Sequence, residues 1–300
     1  MKKLPFVTIV VIVLNMKNEL YHCLKSIESL DYPRDNFEIL VIDGGSNDGT
    51  LDICKNFDVK CIIEERKGRG LARNIGVKNA KGEIIAFIDA DCKVTRNWLM
   101  VHARNHMDNH VGAVGGAIIN PMMSISNKFA LTNHYEYFAE FDGNTPKRII
   151  YHVSTSNASF KKSTIEEAGF FDDNLDAYED FELCNRITQT GSKIIFDPDA
   201  KVLHFGVNPT MSSYSFMINE IERAKAHLYA QISNQNIFGR LPMHRVSALL
   251  FTPSIVLSRI IRQIVKLKYS KAPRILILLP YIMMGGLIWG FTYVKEVFFR

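Results

Sequence analysis

The stretch Ile84-Ile85-Ala86-Phe87-Ile88-Asp89-Ala90-Asp91 joins a short apolar run to two carboxylates that are separated by one residue. Consecutive apolar residues, many of them β-branched or aromatic, are typical of a strand buried on both faces of a parallel sheet. In open α/β sheets, ligands bind outside the carboxyl ends of the strands. The stretch therefore predicts a buried strand over Glu83–Ile88 and an acidic site at its end.

Alternating strand and helix patterns precede this stretch. The apolar run Val7–Leu14 predicts a buried strand, because it is short for a signal peptide and no A-x-A-type cleavage site follows it. Apolar residues at helical spacing predict a helix within Asn18–Leu30. The alternation continues with strands at Phe37–Ile42 and Val59–Ile63 and helices at Thr50–Phe57 and Leu71–Ala80. This order predicts a mostly parallel sheet with right-handed crossovers.

The pattern becomes mixed after about residue 110. The predicted strands are Val111–Ile119, Tyr151–Phe160, Lys193–Phe196 and Lys201–His204, and the predicted helices are Tyr178–Thr190 and Ser213–Ser233. A polar, partly helical stretch separates the first two of these strands. The chain is thus expected to be an α/β protein whose second half departs from the simple alternation.

The C-terminal segment is the most apolar part of the chain. Ile275–Val294 is 20 residues long without a charged side chain, which is long enough to span a bilayer. Val246–Tyr269 begins apolar and continues basic, so it predicts an amphipathic helix in the membrane interface. The basic loop before Ile275 is expected to be cytoplasmic. A two-helix hairpin, which would place that loop on the far side, and a buried helix of a soluble protein are the less favoured alternatives.

Charge and cysteine content exclude several classes of protein. The net charge is +5, but residues 259–300 contain eight Lys or Arg and one acidic residue, so the rest of the chain is slightly acidic. This body is not a basic nucleic-acid binder, and the basic excess beside an apolar segment favours a membrane surface. Five cysteines without a C-x-x-C pair predict neither a disulfide framework nor a structural zinc site.

The pair Asp89 and Asp91 predicts a divalent cation site. Carboxylate oxygens are hard ligands suited to Mg²⁺ or Mn²⁺, and such sites often take one or two carboxylates with phosphates and water. A bare D-x-D is common in solvated turns, so its position after a buried strand carries the prediction. No G-x-x-x-x-G-K-[ST] phosphate loop, third glycine of G-x-G-x-x-G or H-E-x-x-H motif offers an alternative chemistry.

Motifs in the surrounding sequence resemble the family 2 glycosyltransferases of the GT-A fold. They are Val11-Ile12-Val13-Leu14-Asn15, Val41-Ile42-Asp43-Gly44-Gly45-Ser46-Asn47-Asp48-Gly49-Thr50, Gly70-Leu71-Ala72-Arg73-Asn74-Ile75-Gly76 continuing to the D-x-D, Asn157-Ala158-Ser159-Phe160 with Gly169-Phe170-Phe171-Asp172, and Tyr178–Arg186. They occur in the family's order and cover about residues 5–205.

The resemblance implies a Rossmann-like GT-A fold, with a mostly parallel central sheet and flanking helices, followed by the amphipathic and transmembrane helices. Residues 1–110 would bind the nucleotide sugar, residues 111–240 would bind the acceptor and carry the catalytic base, and residues 241–300 would attach the chain to the membrane. The implied enzyme is a metal-dependent, inverting hexosyltransferase of glycan biosynthesis with its catalytic domain in the cytoplasm. Its donor would be a UDP- or GDP-sugar, and its acceptor a hydroxyl of a lipid-linked glycan or glycolipid.

The resemblance also assigns residues to the donor site. Asp91 would hold Mn²⁺ or Mg²⁺, with Asp89 near the ribose or the metal. Asn15, Asp43 and Arg73 would contact the nucleotide. The family often has a second acidic residue after Asp43, where this chain has glycine, so the choice between uridine and guanosine stays open.

The resemblance makes Asp180 the general base that takes the proton from the acceptor hydroxyl. Its neighbour Glu179 is the alternative, and both could equally be ordinary acids at a helix N-terminus. His204 follows a short strand and either completes the metal site or is a core histidine. Cys92 is expected to be a small packed residue.

Other functions fit parts of the pattern. A polyprenyl-phosphate sugar synthase would use the same donor site with a phosphate nucleophile, which hardly needs a general base. A non-catalytic, membrane-tethered sugar-nucleotide-binding partner is a second alternative, and the complete acidic motifs argue against it. A nucleotidyltransferase would need a glycine-rich loop after the first strand, and none is present. The Q-x-x-R-W motif of processive synthases is also missing, which favours single addition.

Overall fold

The computed structural model describes residues 4–64, 66, 68–122, 127–175, 177–206, 210–233, 245–269 and 275–299. The chain forms two compact units. The sheet unit consists of Met1–Ile119 and Pro146–Gly206, and the helical unit of Asn120–Thr145 and Val207–Arg300. The functional boundaries expected near residues 110 and 240 stay a prediction, because packing does not report which part of a chain binds donor or acceptor.

The first part of the sheet unit confirms the predicted alternation. Its elements are β1 (Val7–Val13), α1 (Lys17–Ile27), β2 (Phe37–Asp43), α2 (Thr50–Cys54), β3 (Lys60–Ile63), α3 (Arg69–Asn79), β4 (Ile84–Asp89), β5 (Cys92–Val94), α4 (Trp98–Asn105) and β6 (Val111–Ile119). Predicted ends shift by a few residues, and the second helix stops at Cys54 instead of Phe57.

The chain then passes through the helical unit and returns. The remaining elements are α5 (Lys128–Phe138), β7 (Arg148–Ile150), β8 (Asn157–Lys161), α6 (Lys162–Glu167), α7 (Glu179–Gln189), β9 (Lys193–His204), α8 (Ser213–Ser233), α9 (Arg245–Tyr269) and α10 (Ile275–Phe299). Short 3₁₀ turns lie at Arg34–Asn36 and Ala139–Phe141.

Two strand predictions were wrong in their extent. The strand expected over Tyr151–Phe160 begins only at Asn157, because its antiparallel partner β4 offers pairing positions only from Ile84 to Ile88. The two short strands expected within 193–204 are one strand, β9, whose pairing with β6 shifts register between Gly116 and Ala117.

The strand order is β3-β2-β1-β4-β8-β6-β9-β5, and β7 pairs with β9. β1 pairs in parallel with β2 and β4, and β2 with β3, as the alternation predicts. β8 then runs antiparallel between β4 and β6. Parallel pairing therefore holds among the first four strands and recurs between β6 and β9, and the described sheet as a whole is mixed.

Burial of apolar side chains holds the sheet unit together. Every residue of β1 except Ile12, and every residue of β4 except Asp89, is buried, as expected for strands covered on both faces. Phe87 lies at the centre, with its ring 5.9 Å from that of Phe160 and 5.5 Å from that of Phe171. Each such side chain contributes about 1.5–3 kcal/mol by leaving water.

A polar network lies behind β8. Trp98 Nε1 donates to Asn157 Oδ1 at 2.7 Å, and His102 Nδ1 lies 2.8 Å from Ser159 Oγ. His106 Nε2 lies 2.9 Å from the same hydroxyl. Burial lowers the pKa of His102 to about 4 and that of His106 to about 3, so both rings are neutral near pH 7.

These buried rings predict a loss of stability on acidification. An unfolded histidine has a pKa near 6.5. Below that pH the unfolded chain therefore binds a proton at His102, whereas the folded chain, with the lowered pKa, does not. The free energy of unfolding should fall as pH drops from about 6.5 to about 4, by about 1.4 kcal/mol per pH unit for each such proton. Thermal unfolding of the detergent-solubilised chain, followed by Trp98 fluorescence in a Trp289→Phe background, measures this.

The variant His102→Gln should show a weaker dependence on pH than the parent chain. The control is His110→Gln, at an exposed position of the same unit, which should keep the full dependence. Identical pH dependence in all three proteins would show that buried His102 does not cause the loss of stability in acid.

The helical unit contains the two most apolar helices. Residues Val246–Leu267 of α9 and Ile277–Phe299 of α10 are each long and apolar enough to cross a membrane, by length and composition alone. Large apolar side chains such as Leu250 and Phe251 are exposed on α9. The interfacial placement of α9 stays a prediction, and the basic loop expected before Ile275 falls outside the described residues.

Three buried charged side chains and the partly exposed Arg259 meet in this unit. Arg223 on α8 forms ion pairs with Glu136 of α5 and Glu220 of α8. Arg259 of α9 adds a contact of 3.4 Å to Glu220. Burial raises the pKa of Glu220 to about 8, and the nearby Glu136 carboxylate acts in the same direction. The cluster holds two carboxyl groups against two guanidinium groups, so its ion pairs link three helices.

Removing one cation from this cluster should destabilise the helical unit. We expect Arg223→Met to lower the free energy of unfolding by about 3–5 kcal/mol, because it removes the closest cation from two buried carboxyl groups and leaves them only the longer contacts to Arg259. Lys225→Met is the matched control, since Lys225 sits on the same helix in an exposed pair with Glu222. Thermal unfolding in detergent, followed by Trp289 fluorescence, should separate the two variants; equal stability would contradict the role of the cluster.

Candidate active site

Two carboxylates stand at the end of β4, where the sequence predicted them. Asp89 is the last residue of the strand, and Asp91 lies in the turn that leads to β5. Both side chains are partly exposed, at 28% and 15%. Ile12 of β1 pairs with Asp89, and Val13 pairs with Asp43 of β2. The acidic ends of β2 and β4 therefore share one edge of the sheet.

His204 is brought to Asp91 by a strand ladder. β5 pairs antiparallel with β9, and Cys92 stands opposite His204. His204 Nε2 consequently lies 3.7 Å from Asp91 Oδ1. One ligand atom from each of Asp91, Cys92 and His204 falls within 4.8 Å of the others, a spacing that a single metal ion can bridge.

The donor atoms at Asp91 fit a divalent cation such as Mn²⁺. Carboxylate oxygen and imidazole nitrogen are ligands that this ion accepts. Burial raises the pKa of the Asp91 carboxyl, His204 opposes that shift, and Asp89 adds to it. Burial also raises the pKa of the Cys92 thiol, which keeps it protonated and favours the packed role predicted for it. Gly206 lets the Asp91 carboxylate approach the backbone closely, since a Cβ there would lie 2.0 Å from Asp91 Oδ2.

Arg73 lies inside the protein and joins two acidic residues. Its side chain is almost fully buried, and its guanidinium forms an ion pair with Glu179 at the start of α7. Arg73 Nη2 also lies 3.8 Å from Asp89 Oδ1. Burial raises the pKa of Glu179 to about 7, against the lowering effect of Arg73. Glu179 is therefore buried and already paired, which makes it poorly suited to meet an acceptor hydroxyl.

Asp180 occupies a different environment from its neighbour. It is half-buried, and its Oδ2 accepts the backbone N–H of Thr155 at 3.1 Å and the Thr155 hydroxyl at 3.3 Å. Its Oδ1 accepts the backbone N–H of Phe181 at 2.8 Å. Tyr178, which precedes the pair, has a left-handed backbone with φ of 64°, a conformation that costs free energy in a non-glycine residue and is common at functional sites.

Asp43 and Asn15, the two other predicted nucleotide ligands, bind the backbone of the loop that follows β2. Asp43 is fully buried, and its Oδ2 accepts the backbone N–H groups of Gly45 and Ser46 at 3.0 and 2.9 Å. Asn15 is exposed, and its Oδ1 accepts the backbone N–H of Asn47 at 2.9 Å. Both side chains thus shape the segment after β2, and a direct contact of either with a nucleotide stays a prediction.

The structure adds residues that the sequence analysis did not name. Ser156 Oγ donates to Asp89 Oδ2 at 2.5 Å, and the adjacent Thr155 binds Asp180. The sequence signal was a run of small polar residues, Ser154-Thr155-Ser156, inside what looked like a continuous strand. Gly206 was also missed, because its contact with Asp91 arises only when β9 pairs with β5.

Comparison with known proteins identifies the class to which this fold and site belong. The model of Glycosyl transferase family 2 matches residues 8–169. The Haloferax volcanii protein "Glycosyltransferase AglE" is 30% identical over 209 residues, which are 67% of this chain and 67% of that protein. The chain is therefore a sugar-transferring enzyme, and it belongs to glycosyl transferase family 2.

Two further proteins are similar at lower identity. The Methanococcus voltae enzyme "Dolichyl N-acetyl-alpha-D-glucosaminyl phosphate 3-beta-D-2,3-diacetamido-2,3-dideoxy-beta-D-glucuronosyltransferase" is 25% identical over 213 residues, 65% of each chain. The structure of the mannosyltransferase PcManGT from Pyrobaculum calidifontis, in complex with GDP-Man and Mn²⁺, has a TM-score of 0.58 at 21% identity. The superposition covers 96% of this chain and 74% of the mannosyltransferase chain. This likeness confirms the GT-A type of fold.

The close approach of Asp91 to Gly206 gives a test of the metal site. We expect Gly206→Ala to weaken Mn²⁺ binding by about 10- to 100-fold, because the new Cβ displaces the Asp91 carboxylate. Thermal stability should change little, since the new Cβ meets only the ends of two side chains, the Asp91 carboxylate and, at 3.0 Å, the edge of the His204 ring. Mn²⁺ titration followed by electron paramagnetic resonance measures the affinity. Unchanged affinity would mean that Asp91 does not hold the ion.

Proposed function

We propose that this protein is an inverting, metal-dependent glycosyltransferase that moves one sugar from a UDP- or GDP-sugar to a hydroxyl of a lipid-linked glycan or glycolipid. The observation that carries the proposal is the grouping of Asp89 and Asp180. These residues belong to β4 and α7, yet adjacent residues of one short segment bind both carboxylates. In such a site one carboxylate would help to hold the cation that neutralises the departing diphosphate, and the other would take the proton of the acceptor hydroxyl.

The metal-binding half of this site would be Asp91 and His204, with Asp89 beside them. A divalent ion held there supplies positive charge to the diphosphate as it leaves the sugar. The pairing of β5 with β9, which brings His204 to Asp91, supports this assignment. The Mn²⁺ bound to PcManGT, whose fold this chain shares, favours manganese.

Asp180 would be the general base. It is partly exposed, whereas Glu179 is buried and paired with Arg73, so Asp180 is the carboxylate that an acceptor can reach. A base on one face of the sugar, opposite the leaving diphosphate, would give in-line attack and inversion. General-base catalysis of this kind contributes about 10²- to 10⁴-fold to rate.

The donor would bind at the edge of the sheet formed by the ends of β1, β2 and β4. The loop after β2, braced by Asp43 and Asn15, would receive the nucleoside. Arg73 would act mainly by fixing Asp89 and Glu179, since its guanidinium is buried against them. GDP-Man bound to PcManGT supports a nucleotide sugar as donor, and the base and the sugar of this chain's donor are left to experiment.

The acceptor would be attached to a lipid. The printed activity of the Methanococcus relative concerns a dolichyl phosphate-linked sugar, which supports this class of acceptor. α9 and α10 would attach the enzyme to the membrane, with α9 in the interface, one spanning helix and the catalytic domain in the cytoplasm. A single sugar would be added per acceptor.

Donor binding and turnover test this function. We expect one of UDP-glucose, UDP-N-acetylglucosamine or GDP-mannose to bind in the presence of Mn²⁺ and to be hydrolysed slowly with water as acceptor. Asp91→Ala should abolish the metal-dependent binding. Asp180→Asn should keep donor binding and lose turnover by about 10²- to 10⁴-fold, because it removes the base and not the metal site.

Two controls sharpen the result. Asp172→Asn changes a partly exposed aspartate of the same unit outside the proposed site, and it should keep binding and turnover. Full activity of Asp180→Asn with polyprenyl phosphate as acceptor would instead identify a polyprenyl-phosphate sugar synthase. If none of the three donors binds with Mn²⁺ present, a catalytic role with them is excluded.

A further inference from the structure

The segment just before β8 contacts two functional carboxylates through consecutive residues. Thr155 binds Asp180, and Ser156 binds Asp89. We propose that Thr155 is a positioning residue, whose hydroxyl aims the Asp180 carboxylate and thereby sets the general base relative to the donor-site carboxylate Asp89. This inference rests on the proposed function, because it assumes that Asp180 is the base.

Hydrogen bonds from the described residues leave one lone-pair site of the Asp180 carboxylate for an acceptor proton. An ionised carboxylate has about four lone-pair sites. Thr155 occupies two on Oδ2, through its N–H and its hydroxyl, and the Phe181 N–H occupies one on Oδ1. The remaining site is on Oδ1. Rotation of the carboxylate would change where this site points, and the Thr155 hydroxyl is one of the three groups that resist it.

Ser156 makes the corresponding contact on the donor side. Its hydroxyl donates to Asp89 Oδ2 at 2.5 Å, and its side chain is 7% exposed. Because Thr155 and Ser156 are neighbours in the chain, a shift of either carboxylate relative to the other would strain one of these bonds. The two residues therefore couple the base to the metal and donor site.

A second connection closes a ring around the site. Asp180 is covalently next to Glu179, which pairs with Arg73, and Arg73 reaches Asp89 at 3.8 Å. Asp89 and Asp180 are thus joined along two routes, one through Arg73 and Glu179 and one through the Thr155–Ser156 segment. Two independent routes fix an orientation better than one.

The segment rests on a rigid support. Asn157 begins β8, and its Nδ2 donates to the carbonyl oxygens of Ala117 and Ala200 at 2.9 and 2.8 Å. Its Oδ1 accepts from Trp98, so both ends of the amide are held. Thr155 is itself 2% exposed. Such support is what a positioned catalytic group requires, because small displacements at a site reduce rate steeply.

Substitution of Thr155 tests its role. In the full-length protein with Mn²⁺, turnover of the donor that the wild type binds best among the three above is measured with water as acceptor. We expect Thr155→Val, which keeps the shape and removes the hydroxyl, to lower kcat by about 10- to 100-fold. KM should change little, because the donor contacts are untouched. Thr155→Ser, which restores a hydroxyl, should recover most of kcat.

Several results would overturn the inference. These are wild-type kcat in Thr155→Val, equal losses in Thr155→Val and Thr155→Ser, or a loss carried by KM instead of kcat. If thermal unfolding shows that Thr155→Val does not fold, Thr155→Ala, which removes the hydroxyl without placing a methyl against Asp180, decides by the same criteria.

The same assay includes Asp180→Asn. Full turnover in that variant would refute the proposed base, and the inference about Thr155 would fail with it. Loss of turnover in Asp180→Asn together with full activity in Thr155→Val would refute only the inference.

Discussion

The antiparallel pairing of β4 with β8 is the constraint on which the site depends. Its register puts Ile88 opposite Asn157, so the residue after Ile88 must meet the residue before Asn157. That pair is Asp89 and Ser156. A slip of one residue would turn every side chain of the strand to the other face. The buried rings of Phe87 and Phe160, in contact across the same pair of strands, oppose such a slip.

A second strand ladder positions the candidate metal ligands. β5 is short, yet its pairing with β9 places Cys92 opposite His204 and so brings the imidazole to Asp91. The chemistry-bearing groups thus stand on strand ends and at the start of a helix, which are fixed by backbone hydrogen bonds. The loop after β2 is held instead by the side chain of Asp43, through the backbone N–H groups of Gly45 and Ser46.

Much of this arrangement could be predicted from local patterns. The buried strand before Asp89, the alternation up to β4 and the helix Ser213–Ser233 follow from apolar spacing alone. Other features could not, because they join residues far apart in the chain. Arg73 meets Glu179 only once α3 and α7 are packed, and Thr155 looked like part of a strand because its residue type fits one. The buried cluster of Glu136, Glu220 and Arg223 likewise reads in sequence as ordinary surface charge on amphipathic helices.

The helical unit is assembled from two separate stretches of chain, and this has a consequence for how the protein is made. In the order of synthesis, α5 comes between β6 and β7. The helices α8, α9 and α10 come only after the last strand, β9, has been synthesised. Until then Glu136 has neither Arg223 nor Arg259 beside it. The Glu136 side chain of α5 therefore stays without its ion-pair partners until α8 and α9 have been synthesised. The two long apolar helices, α9 and α10, are the last elements of the chain to be synthesised.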